Sequence, residues 1–133
     1  MSIEEKILNC GRTVAVVGLS SKPDRPSYEV ASYLKEERYK IIPVNPAEKE
    51  ILAEPCYPDL ACIPESVDVV DIFRRSVEVR PIAEEAIGIG AKAVWMQEGV
   101  INEEAAARAR EAGLMVVMDK CMGKERQKLR QRR

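Results

Sequence analysis

The 133-residue sequence contains no histidine, one tryptophan and one phenylalanine. Without an imidazole, Ser-His-Asp and Cys-His catalysis and any phosphohistidine intermediate are excluded, and the commonest neutral metal ligand is missing. The four cysteines, Cys10, Cys56, Cys62 and Cys121, show no C-x-x-C spacing, by which one turn supplies two ligands, so no metal is expected. Thiols scattered in this way read as reduced, packed or idle side chains of a reducing compartment. Long apolar runs are also lacking. No stretch approaches the roughly 18 residues of a membrane span. The opening MSIEEKILN is acidic and amphipathic, unlike a secretory leader. A cytoplasmic protein with no membrane contact is the expectation.

Charge of one sign is scarce except at the end. Against a net charge of −1, the tail carries Lys120, Lys124, Arg126, Lys128, Arg130, Arg132 and Arg133 with only Asp119 and Glu125. No aromatic side chain interleaves these cations to stack on bases, which argues against nucleic acid. A solvated, partly frayed basic helix over about 121–131 is the expectation.

What the sequence does contain is alternation. Hydrophobic residues make up 46% and charged residues 32%, the balance of a folded domain, and residues 1–133 read as one. Ser2 followed by Glu5 is a capping-box pattern and predicts a helix over 3–9. Residues 13–18 read as a buried valine-rich strand and 27–37 as a helix with Val30, Ala31 and Leu34 on one face. YKIIPVNP (39–46) is a second strand in which Pro43 is awkward, because it donates no ladder bond. The proline-punctuated stretch 50–62 suggests a minor strand and one turn of helix. VDVVDIF (67–73) is the third clear strand, and Val79, Ile82, Ala83, Ala86 and Ile87 then fall at helical spacing. AKAVWMQ (91–97) and LMVVM (114–118) are strands on either side of a helix capped by Asn102. Repeated β-α-β units predict an α/β, doubly wound, mainly parallel sheet of about five strands flanked by helices.

Ligands of such sheets bind beyond the carboxyl ends of the strands, where strand order reverses. The segments to inspect are therefore 18–27, 44–49, 73–76 and 97–100. The first turn, GLSSKPDRPS, offers backbone N–H groups and hydroxyls at a helix N-terminus, which suits a phosphate, with Lys22 and Arg25 for further anionic groups. A nicotinamide dinucleotide is disfavoured on two counts. The G-x-G-x-x-G pattern is broken after Gly18, and the second strand ends in Asn45 and Pro46 instead of the acid that holds ribose hydroxyls.

VAVVGLSSKPDRPSYEV, VNP (44–46), VDVVDIF, AKAVWMQEGV and AGLMVVMDKCM together resemble, in order and spacing, the small CoA-binding proteins of bacteria and archaea. That family is related to the CoA-binding domain of the succinyl-CoA synthetase alpha subunit. The resemblance covers residues 10–125 and implies a Rossmann-like sheet with coenzyme A as ligand. It places the phosphates on Gly18, Leu19, Ser20, Lys22 and Arg25, the adenosine by Val44, Asn45 and Pro46, and the pantetheine arm by Phe73 and Arg74. Gln97, typical of the family, is a candidate neighbour of the ligand, a purely structural role being the plainer expectation. Relatives often carry a histidine after the last strand, where this sequence has Arg126, so no role tied to that histidine carries over. Asp71, inside an apolar strand, is expected to be a satisfied structural carboxylate, and Trp95 a packing residue. Cys121 is the best placed of the four thiols for a mixed disulfide with the ligand, an inert packed thiol being the plainer expectation.

The preferred reading is a CoA or acyl-CoA binding protein with no catalytic apparatus of its own. A subunit or remnant of an acid–CoA ligase, or an NAD(P)-binding oxidoreductase-like protein, are the alternatives. A homodimer and the identity of any acyl group are left open by the sequence.

Overall fold

The computed structural model describes residues 1–132; Arg133, the last cation of the tail, lies outside the described residues. In chain order the elements are α1 (Ile3–Cys10), β1 (Thr13–Val17), α2 (Pro26–Glu36), β2 (Lys40–Val44), β3 (Glu50–Ile51), β4 (Glu54–Pro55), β5 (Val69–Ile72), α3 (Val79–Gly88), β6 (Ala93–Met96), α4 (Glu103–Glu111), β7 (Met115–Val117) and α5 (Met122–Gln131). Short 3-10 turns at Leu60–Cys62 and Ser76–Glu78 complete the chain.

Five strands pair in parallel in the order β2-β1-β5-β6-β7. Their sequences are nearly continuous apolar runs because both faces are covered. On one face Ala15, Val70 and Val94 pack on Ala83 and Ala86 of α3 and Ala105 and Ala109 of α4. On the other, Val14, Val16 and Trp95 meet Ile7 and Leu8 of α1, Leu34 of α2 and Met122 and Leu129 of α5. This is the doubly wound, Rossmann-like α/β arrangement. The chain leaves β1 toward β2 on one side and resumes at β5 on the other, so strand order reverses between β1 and β5.

Local chemistry explains the elements. Pro43 is tolerated because β2 is the edge strand. Its carbonyl faces outward and accepts from Tyr57 N at 3.0 Å, so its missing N–H would also have faced outward, and Gly18 N reaches Val44 O at 2.9 Å on the inner side. Asn102 Oδ1 accepts from Ala105 N at 2.9 Å and caps α4. Ser2 Oγ accepts from Glu5 N at 3.1 Å, but Glu5 does not complete the capping box; its carboxylate turns to Arg132 at 2.8 Å.

The tail forms the basic helix expected, with most of its cations exposed to solvent, but it is ion-paired to the rest of the domain. Each lysine and arginine from Lys120 to Arg132 has a carboxylate partner: Lys120 with Glu4, Lys124 with Glu98, Arg126 and Arg130 with Glu37, Lys128 with Glu125, and Arg132 with Glu5. Arg126 also lies over the Tyr39 ring, 5.7 Å from its centroid. The one-signed run of the sequence is therefore neutralised by acids of α1, α2 and the β6–α4 connection, and α5 is docked.

Candidate functional site

Gly18 ends β1 at a φ of +85°, in the left-handed region that favours glycine. A Cβ there would lie 2.4 Å from the Phe73 carbonyl oxygen and 2.9 Å from Arg74 Cδ. The turns after β1 and β5 thus touch through backbone at the point where strand order reverses. Beyond Gly18, Ser20 N donates to Ser27 Oγ at 3.0 Å and Lys22 N to Ser20 Oγ at 3.1 Å. Both hydroxyls accept from the loop, and neither proton is taken by an acceptor among the described residues. Arg25 is extended at the N-cap of α2, Pro26 follows in the first turn, and the buried Ser27 comes next. The orphan N–H groups and positive end of the helix dipole favour an anion at this point.

A hollow of about 560 Å³ opens over this turn, lined by Gly18, Ser20, Arg25, Pro26, Ser27, Phe73, Arg74, Arg75, Gln97, Glu98 and Val100. Every lining residue comes from the segments following β1, β5 and β6. Gln97 is 7% exposed, and its Oε1 has no hydrogen-bond partner. A buried amide oxygen left unpaired is costly, and this one belongs to a residue of the hollow's lining. Glu98, also in the lining, pairs with Lys124 at 3.0 Å, and Asp119 Oδ1 accepts from Gly99 N at 2.7 Å to shape the turn after β6.

A second hollow of about 260 Å³ lies on the β2 side, lined by Val17, Gly18, Val44, Pro46, Pro58, Asp59, Arg74, Glu78, Ile82 and Glu85. Gly18 and Arg74 border both hollows. Arg74 Nε meets Glu78 Oε2 at 3.1 Å and Arg75 Nη2 meets Glu78 Oε1 at 3.1 Å. The Arg75 hydrogen bond, followed by the charges of Arg74 and Arg75, holds the Glu78 carboxyl below the usual range.

Of the residues singled out in the sequence, Gly18, Ser20, Arg25, Phe73 and Arg74 come together at the larger hollow, and Val44 and Pro46 at the smaller. Leu19, Asn45 and Lys22 line neither. The Leu19 side chain is fully buried, and its carbonyl accepts from Asn45 Nδ2 at 3.0 Å. Asn45 Oδ1 takes Ala47 N at 2.8 Å, so this pair braces the β1 and β2 turns against each other. Lys22 is exposed. Sequence reasoning singled out neither Asp59, Ile82 nor Glu85, because a turn acid and the face of a helix give no signal of a ligand.

Asp71 differs from the satisfied carboxylate expected. It is fully buried in β5 beside Val16 and Trp95, and neither oxygen has a partner. Burial pushes its carboxyl up to about 8. It lines neither hollow. Trp95 packs in the core and donates its indole N–H to Lys120 O at 2.9 Å. Cys121 is 6% exposed at the start of α5 and lines neither hollow. Burial raises the Cys56 thiol, which donates to Asn45 O at 3.5 Å. Among the described residues no group of acidic and cysteine side chains could hold a metal ion, and no helix is long and apolar enough to cross a membrane.

A doubly wound parallel sheet with a glycine turn at its switch point and a helix N-terminus beside it defines a Rossmann-like α/β domain. The comparisons specify which. Residues 12–127 match the CoA binding domain family, and the chain belongs to it. It is 40% identical over 118 residues to the protein YneT of Bacillus subtilis, covering 89% of this chain and 87% of that one. A solved structure from Pyrococcus horikoshii OT3 is 39% identical, with a TM-score of 0.93 over 97% of this chain and 92% of the other. The ADP-forming acetate–CoA ligase II of Archaeoglobus fulgidus is 32% identical over 95 residues, 70% of this chain; the match spans 14% of the ligase.

Proposed function

We propose that the chain binds coenzyme A or an acyl-CoA in the crevice over Gly18 and does no chemistry on it unaided. The observation that carries this reading is the composition of the larger hollow from end to end. At one end are two serine hydroxyls, Arg25 and the N-terminus of α2, a set suited to a pyrophosphate. Gln97, whose Oε1 is buried and unpaired, belongs to the same lining and would supply an acceptor for a neutral N–H donor. An elongated ligand with an anionic end and an amide-bearing arm satisfies both, and coenzyme A is such a molecule. The smaller hollow, with Val44, Pro46 and Ile82 as apolar walls, would hold the base. Membership of the CoA binding domain family supports the same ligand.

A second reading rests on the acetate–CoA ligase resemblance: the chain would serve as the CoA-binding part of an acid–CoA ligase whose remaining parts are supplied separately. The absence of histidine means that this chain cannot itself carry a phosphohistidine. Amide chemical-shift mapping with coenzyme A tests the site. The expected perturbations fall on residues 18–27, 73–76 and 97–100. Shifts confined to the groove that Glu4 and Glu5 of α1 line with Glu125 and Lys128 of α5 would overturn the assignment.

A further inference from the structure

Among the described residues, three enclosed side-chain polar atoms lack a hydrogen-bond partner: both carboxyl oxygens of Asp71 and Oε1 of Gln97. The two residues are neighbours. β5 and β6 pair with Asp71 opposite Trp95 and Ile72 opposite Met96, and Gln97 N carries the ladder one step further by donating to Ile72 O at 3.3 Å. Side chains alternate along a strand, so Asp71, Phe73, Trp95 and Gln97 fall on one face of the sheet. Packing agrees, with Phe73 and Trp95 in the layer under α1, α2 and α5, and Ile72 and Met96 in the opposite one. Asp71 and Gln97 are thus diagonal neighbours on adjacent strands. Such a step spans about 8 Å between Cα atoms, which an aspartate and a glutamine side chain bridge between them.

Nothing else on that face answers Asp71. Its neighbour on β1 is Val16, and Trp95 gives its indole N–H to Lys120 O. The helices above contribute Ile7 and Leu8 from α1, Leu34 from α2 and Met122 from α5. The titratable side chains of this layer are Tyr28, Tyr33, Tyr39 and Cys56, with the buried Cys121 at the start of α5, and no charged residue of the three helices is buried. No cation therefore meets Asp71, and burial alone pushes its carboxyl up to about 8, so it holds a proton at pH 7. A neutral carboxyl has one O–H to give, and an unpaired amide oxygen has room to take it. We infer that Asp71 is a positioning residue for the larger hollow: its carboxyl O–H donates to Gln97 Oε1, the two side chains turning toward each other, and fixes the glutamine amide where it joins the lining. A carbonyl oxygen accepts two hydrogen bonds, so one lone pair stays available to a ligand. When the proton leaves to solvent, two acceptors face each other and the amide is released.

The test follows the side-chain amide signals of Gln97 by NMR in the wild-type chain, in Asp71→Asn and in Asp71→Val. At low pH these signals should keep their wild-type positions in Asp71→Asn, whose N–H replaces the O–H, and be displaced in Asp71→Val, which has no donor. As the pH rises they should move in the wild type together with the Asp71 carboxyl carbon, and stay in place in Asp71→Asn. Gln97 signals equally placed in all three proteins at low pH, or unmoved while the Asp71 carboxyl carbon titrates, would overturn the inference. Coenzyme A is the functional probe, a use that rests on the proposed function. With one hydrogen bond at stake, its affinity should fall about fivefold more in the wild type than in Asp71→Asn as the pH is raised through the Asp71 titration. The ligand's own titration cancels in that comparison, and equal pH profiles would overturn the positioning role. Failure of coenzyme A to bind either protein would overturn the CoA reading alone, because the Gln97 signals decide the Asp71 contact without a ligand.

Discussion

A Cβ at Gly18 would come within 2.4 Å of a backbone oxygen that cannot swing aside, at a φ that side chains rarely adopt. Gly18→Ala is therefore expected to cost about 2–4 kcal/mol in urea unfolding and to prise the β1 and β5 turns apart. An unchanged midpoint would show that the contact is not tight. Asp71 makes a different prediction. Its folded pKa, about 8, lies above the ordinary carboxyl value of 3.8, so the native state keeps a proton that the unfolded chain releases. Its contribution to stability is fully present below about 4 and is lost as pH rises toward about 8. Relative to Asp71→Asn, which cannot titrate, the wild type should lose on the order of 2–4 kcal/mol between pH 5 and 8. Parallel stability curves for the two proteins would mean that Asp71 is ionised in the fold. Arg25 lines the phosphate end of the hollow. If it meets the ribose 3′-phosphate, Arg25→Ala should weaken coenzyme A roughly tenfold to a hundredfold and spare dephospho-CoA. Equal losses would move Arg25 to the pyrophosphate.

At the scale of elements, the β3–β4 hairpin turns through Leu52 and Ala53, both left-handed at φ 55° and 60°, a geometry that favours glycine. Lys35 of α2 holds the turn by donating to Leu52 O and pairing with Glu54 at 3.0 Å. Ala53→Gly should raise stability by up to about 1 kcal/mol in thermal unfolding, and a loss would show that the alanine is not strained. Much of the element pattern was legible beforehand. The valine runs, Asn102 and the Ser2 cap announced themselves locally, and the three segments lining the larger hollow followed from the rule about carboxyl ends of strands. What was not legible depended on distant partners. Nothing near Lys120–Arg132 in sequence says that Glu4, Glu5, Glu37 and Glu98 will neutralise it. Nothing near Asn45 says that its amide will donate to Leu19 O, and Asp71 gives no sign that its oxygens will find no donor.

For the whole molecule, beyond the carboxyl ends of the strands the β1–β5 reversal places a phosphate-suited helix end beside an open, partly apolar hollow. The smaller hollow adds Asp59 and Glu85, carboxylates able to accept from the amine of a base, while its Glu78 is paired with Arg74 and Arg75. A nicotinamide dinucleotide would instead need a carboxylate at the end of β2 for its ribose, where Asn45 stands already engaged. Isothermal titration of the metal-free chain with coenzyme A, and separately with NAD and ATP, tests this account most directly. Saturable one-to-one binding of coenzyme A, with NAD and ATP at least tenfold weaker, is the expected result; tight NAD binding with no heat from coenzyme A would contradict it.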